Sequence, residues 1–299
     1  MPLEPHATMG MSSPSSVAAL VVLFLVSIIY LRWSRRSHVG RVSAIPFWRV
    51  ACFIIGMFLI WIALGSPLAA YDHALLTVHM IQHLLLMTFA PALILLGEPL
   101  FVFWHGLSQR HKIVLAPLVR LPFAQRLARI LSHPIMCLSV SSLTLLGWHV
   151  PALFTLGMRS EFWHSLEQAS FLLAGLLFWL PVIRPWPDGS TEPSWSTLLY
   201  LFLATLPCDI LSGFLVFSDR VAYPFYLTMP RHFGFSVLDD QQCAAALMWA
   251  CVTLVYLVPA AILSSRLLSP RSSYRIDSMR PELSADIAAE RNPGSLGTV

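Results

Sequence analysis

The chain has 299 residues, of which 57% are hydrophobic and 11% charged. A soluble domain carries about 25% charged residues, so the apolar excess is more than one water-facing core takes up. The formal net charge of +4 is small and sits between apolar runs, which excludes a nucleic-acid-binding surface.

Residues 1–16 hold no Lys or Arg. They lack the basic start of a cleaved secretory signal, so the apolar run that follows is expected to be retained. The predicted fold is all-α: an integral membrane bundle of seven transmembrane helices. Each is about 20 residues long, enough to cross a hydrocarbon layer of roughly 30 Å. In chain order the spans are expected at about 17–32, 46–64, 74–96, 134–156, 162–183, 196–218 and 241–264. Pro46, Pro134, Pro185 and Pro187 punctuate helix ends or loops. Pro91, Pro151, Pro207 and Pro259 fall inside spans, where neighbouring helices satisfy the freed carbonyls. The organisation is thus an N-terminal tail (1–16), a membrane domain (17–266) and a Ser-, Pro- and charge-rich tail (267–299) expected to be disordered.

Sixteen of the 19 Lys and Arg residues fall on one side of this topology. They follow the first, third, fifth and seventh spans, while Arg159, Arg220 and Arg231 lie on the other side. The bias places the N-terminus outside and the C-terminus in the cytoplasm. The five cysteines form no C-x-x-C pair and lie in or beside apolar runs. They are expected to pack as small hydrophobes rather than form a disulfide framework or a zinc site.

The polar residues inside the spans are not scattered. With a rise of about 1.5 Å per residue, His83 lies roughly 3 Å and His79 roughly 9 Å to the outer side of the third span's centre. His149 lies in the outer half of the fourth span. His164 and Glu167 lie near the outer end of the fifth, and Asp239, Asp240 and Gln241 at the outer start of the seventh. His73 lies in the loop before the third span. Residues four apart share a helix face, so His79 and His83 present two imidazoles to one ion or one pair of partners, with Met87 continuing the stripe. His164, Glu167 and Gln168 form a second polar stripe.

Ionisable residues in a membrane helix face the bundle interior and mark function. Polar glue between helices explains one such histidine. Two on one face, with His149 and His164 at similar depth, favour a metal or cofactor site. Glu167 suits the orientation of a ligand histidine. Asp240 suits either capping of its own helix or a place in the cluster. Met80, Met87 and Met158 are expected to pack, although thioethers suit Cu(I) and imidazole suits copper, zinc and iron. A retinal protein is excluded, because the only lysine, Lys112, lies in a loop. A zincin-type protease is excluded because H-M-I-Q-H lacks the catalytic Glu of H-E-x-x-H. A b-type haem or electron-transfer protein stays open, as does a copper or ion permease, for which Asp209 is the nearest mid-span candidate.

The stretch "HMIQHLLLMTFAPALILLGEP" at 79–99 resembles the H-M-x-x-H…A-P-x-L-x-L-G-x-P block of the multi-span cytochrome c oxidase assembly factor CtaG family. "HP" at 133–134, "GWHVPALF" at 147–154, "HSLEQASFLLAGLLFWLPV" at 164–182 and "DQQCAAALMW" at 240–249 are similar to its later blocks, in the same order. The resemblance covers about 70–250 and adds nothing for the first span or the tail. Two positions depart from the pattern: Gln168 stands where the family shows a histidine, and Ala245 where it shows a glycine.

The resemblance implies a multi-pass protein of the bacterial plasma membrane that assists assembly of a haem–copper oxidase, by binding or delivering copper. Its partners would be oxidase subunits and a periplasmic copper donor. Carried over, the motif residues are His79, His83, His149, His164, Glu167, Asp240 and Gln241. The expected copper ligands are the four histidines, with Glu167, Asp240 and Gln241 in support. A ligand-exchange carrier needs binding rather than turnover, so no enzyme activity is expected.

Overall fold

In the computed structural model, residues 14–37, 45–183, 195–229, 234 and 236–268 are described. The tail 1–13 and the tail from 269 onward, for which disorder was expected, lie outside the described residues. The described elements are helices and turns: α1 (Pro14–Ser37), α2 (Phe47–Gly65), α3 (Leu76–Leu84), α4 (Ala90–Leu96), α5 (Pro99–Gly106), α6 (Gln109–Val119), α7 (Pro122–Leu131), α8 (Pro134–Trp148), α9 (Pro151–Arg159), α10 (Glu161–Ile183), α11 (Trp195–Val216) and α12 (Val237–Leu268). A 3-10 turn, Pro67–Tyr71, precedes α3, and a second, Pro224–Thr228, lies between α11 and α12.

Among the described residues, six helical stretches are long and apolar enough to cross a membrane. A seventh results if α7 and α8, bent by 61°, form one broken span. The pattern is that of a multi-pass membrane protein. Large apolar side chains such as Phe24, Phe58, Leu143, Leu173, Phe202, Ile210 and Leu254 point outward, as a lipid-facing surface requires.

The expected fourth span, 134–156, differs from the observed one. Helix α8 ends at Trp148 after 15 residues, roughly 22 Å of rise and short of a full crossing. Pro151 is the reason. A proline pushes its predecessor out of the helical region, and Val150 is extended (φ −65°, ψ 125°). Pro151 therefore starts α9 instead of lying inside a span. The segment 97–133, expected as a basic loop, is helical as α5, α6 and α7.

The third span is continuous in direction but not in winding. Between α3 and α4 the residues Leu85–Phe89 form a π-turn, in which Ala90 N–H donates to Leu85 O. Such turns widen a helix at functional sites. Pro91 lacks the N–H that would otherwise bond the Met87 carbonyl four residues back. Helix α10 passes close beside this point: a Cβ on Gly175 would run into the Met87 carbonyl and the Pro91 ring.

Among the described residues the interior holds two packed clusters. One gathers α3, α4 and α8 to α12 around Phe178, Trp179, Tyr200, Met248 and Tyr256. The other gathers α1, α2 and the π-turn around Tyr30, Phe53, Leu86 and Phe171. At the far end of α4, Tyr30 Oη donates to Gly97 O at 2.7 Å, and Arg49 pairs with Glu98. At the opposite end of the bundle, the starts of α3, α10 and α12 meet the end of α8.

Candidate metal centre

His79 and His83 lie one turn apart on α3 and are buried. Their rings stand nearly perpendicular, with Nε2 of one 2.6 Å from Nε2 of the other. From α10, the buried Glu167 brings Oε1 to 3.3 Å from His83 Nε2 and 3.5 Å from His79 Nε2. A circle through these three atoms has a radius of about 1.8 Å. The three atoms are close enough together for one ion to reach all of them at ordinary metal–imidazole and metal–carboxylate distances, about 2.0–2.2 Å. The set is a three-donor group that could hold a metal ion. Two imidazoles and one carboxylate suit copper, zinc or iron better than an alkaline-earth ion.

The Nε2 contact and the packing of neighbouring aromatic rings aim these two imidazoles. Neither Nδ1 has a hydrogen-bond partner. The His83 ring lies 4.1 Å from that of Phe171, and the His79 ring 5.1 Å from that of Phe154. On Glu167, Oε2 is also without a hydrogen bond. It faces His164 Nδ1 at 3.4 Å, and a Cβ on Gly157 of α9 would come within 2.8 Å of it. The glycine thus leaves the room that the carboxylate occupies.

A polar chain leads from Glu167 toward the surface. His164 Nε2 lies 3.1 Å from Asp72 Oδ2 and 2.9 Å from the Gln168 amide nitrogen. Asp72 Oδ1 meets Nδ1 of the half-exposed His73 at 2.5 Å. Asp72 lies just before α3, outside the spans. Burial raises its carboxyl pKa, but the His164 and His73 contacts outweigh that and hold it well below the usual carboxylate range. Tyr226 Oη donates to the Asp72 carbonyl at 2.8 Å and Tyr223 Oη to the His149 carbonyl at 3.3 Å. Burial pushes both phenols above their ordinary pKa, so they remain donors at neutral pH.

The residues singled out from the sequence divide into groups. His79, His83 and Glu167 converge, and Glu167 stands among the donors themselves. His164 touches the other carboxylate oxygen. His149 turns away: Nδ1 donates to Leu145 O at 2.7 Å and Nε2 faces Met80 Sδ at 3.4 Å. Asp240 caps a helix, but α3 rather than its own, accepting Leu76 N–H at 2.7 Å and Thr77 N–H at 3.1 Å. Gln241 clamps the loop before α12, accepting Ala222 N–H at 2.7 Å and donating to the carbonyls of Leu215 and Arg220. Gln168, at the position that departs from the family pattern, lies against His164 and not between His79 and His83.

Asp72, Gly157, Tyr223 and Tyr226 escaped the sequence reading. Asp72 carried one signal, its place beside His73 in a polar pair just ahead of an apolar span. Gly157 and the two tyrosines carried none, because only the packing of α9 and of the α11–α12 connection brings them to the cluster.

Similar sequences occur in mycobacteria. An uncharacterized protein of Mycobacterium bovis and one of Mycobacterium tuberculosis are each 26% identical over 223 residues, 72% of this chain. One of Mycobacterium leprae is 24% identical over 220 residues, 71% of this chain. The match occupies 33% of each of these proteins, so the chain spans about a third of the length of the curated relatives it matches. No solved structure matches it. A sequence model of the cytochrome c oxidase caa3 assembly factors matches residues 22–269, which extends the likeness beyond 70–250 into the first span. With that match over most of its length, the chain belongs to the cytochrome c oxidase caa3 assembly factor (Caa3_CtaG) family.

Proposed function

We propose that this protein assists assembly of a haem–copper cytochrome c oxidase as a non-catalytic copper carrier of the bacterial plasma membrane. Copper is its cargo, held by His79, His83 and Glu167. One observation carries the reading: two imidazole Nε2 atoms and a carboxylate oxygen from a second helix converge at 2.6–3.5 Å in a buried place. The charge bias of the loops supports an outer position for this end of the bundle, accessible to a periplasmic donor and to oxidase subunits. His73, His164 and Glu167 form a series of ligand groups from the surface inward, suited to passing an ion by ligand exchange.

The geometry favours an ion over a porphyrin. The cavity beside the cluster measures about 40 Å³, room for very few waters. Full-length protein loaded with copper and compared with His79→Ala/His83→Ala tests the reading. The double variant is expected to bind at least one equivalent less, with no Soret band in either protein. Equal copper in both removes these ligands, and a strong Soret band favours the haem reading instead.

A further inference from the structure

The cavity next to the histidine cluster has an unusual lining. Met80, Met87, Cys208 and Met248 line it, together with His83 and His149. A methionine stripe on a buried helix is normally packing, so the contact between Met80 and His149 decides the matter. Nδ1 of His149 faces the Leu145 carbonyl at 2.7 Å. A carbonyl only accepts, so Nδ1 carries the ring hydrogen, and Nε2 of a neutral ring presents a lone pair. Opposite it, at 3.4 Å, stands Met80 Sδ, which has no hydrogen to donate. Two lone pairs thus face each other in a buried place with no proton between them. The two atoms are only in van der Waals contact at that distance, and a cation bound by both would turn the contact into an attractive one.

Thioether and imidazole together suit Cu(I). Methionine has three rotatable bonds and adapts to irregular space, and Met87, Met248 and Cys208 of the same cavity wall are further soft side chains. The set differs from the first one, which has a hard carboxylate and no sulfur. His83 lies between the two, with its ring 6.4 Å from that of His149.

We propose that Met80 and His149 form a second, soft metal site for Cu(I) on this cavity. It rests on the reading that the chain carries copper. It gives the ion a place to move from the His79/His83/Glu167 site toward the middle of the bundle, with no change of oxidation state required.

The test uses purified full-length protein in nanodiscs, titrated with Cu(I) under reducing conditions against a chromophoric Cu(I) chelator, with X-ray absorption of the loaded protein. Wild type is expected to bind two equivalents, with sulfur among the copper neighbours. Met80→Leu, close in volume, should bind one equivalent and lose the sulfur scattering. His149→Gln should do the same and serves as the second arm if Met80→Leu does not fold. Met80→Cys should restore sulfur scattering. Wild type that binds one equivalent without sulfur neighbours, or Met80→Leu and His149→Gln that keep two, overturns the second site. Loss of one equivalent in His79→Ala/His83→Ala alone leaves the proposed function standing while this inference falls. Sulfur-bound copper unaffected by that double variant, with no other copper present, does the reverse. Absence of bound Cu(I) overturns both.

Discussion

Asp240 reaches across 163 residues of sequence to hold the start of the helix that carries the histidine pair: its carboxylate accepts the Thr77 N–H and hydroxyl at 3.1 and 2.6 Å. Helix starts leave N–H groups without intrahelical partners, and Leu75, the residue before α3, offers no side-chain cap. The missing cap comes from α12, two residues ahead of His79 at Thr77. Asp240→Ala is expected to cost about 1–3 kcal/mol, the range of a lost cap and of hydrogen bonds to a buried charge. Thermal unfolding of the purified protein measures the cost. An unchanged midpoint would show that α3 does not depend on this contact.

Gly157 makes room for Glu167. Gly157→Ala places a methyl where the carboxylate lies and should swing Oε1 off the two imidazoles. Copper affinity at the first site is expected to fall by on the order of tenfold, the effect of disturbing a group that orients or forms a metal site. Competition with a chelator gives the number, while the helical circular dichroism of the protein should stay unchanged.

Bound metal should stabilise the fold. At a free-ion concentration about 100 times the dissociation constant, the gain is about 2.7 kcal/mol. The unfolding midpoint should rise by several degrees on loading and return after chelation. Glu167→Gln, which keeps the shape but removes the anion, should show a smaller rise.

The Asp72 carboxylate, held low by His164 and His73, contributes to stability in its charged form. A lowered folded pKa means that the contribution is present above the ordinary value of 3.8 and is lost as the pH falls below it. The charged and titratable groups facing it are His73 and His164, with Glu167 behind His164. Between pH 5 and pH 3, wild type should therefore lose more stability than Asp72→Asn. Parallel curves for the two proteins would assign the acid sensitivity to other groups.

Much of this protein was legible in one dimension. Six of the seven expected spans coincide closely with observed helical stretches, because a run of about 20 apolar residues has few stable alternatives in a bilayer. The fourth did not, because the local effect of Pro151 on Val150 outweighs the apolar run around it. The face shared by His79 and His83 also follows from spacing alone, since a helix places residues four apart side by side.

What the sequence by itself determined is the class of the fold, the helix that bears the histidine pair and the end of the bundle at which polar residues collect. Only the tertiary structure decided which groups meet there. Spacing constrains one helix, whereas the rotation of α10 against α3 puts Glu167 on both imidazoles. The end of α8 turns His149 toward Met80, and the entry into α12 sends Asp240 to the start of α3. Those choices depend on how whole helices pack, down to the absence of a side chain at Gly157 and Gly175, and no local pattern records them.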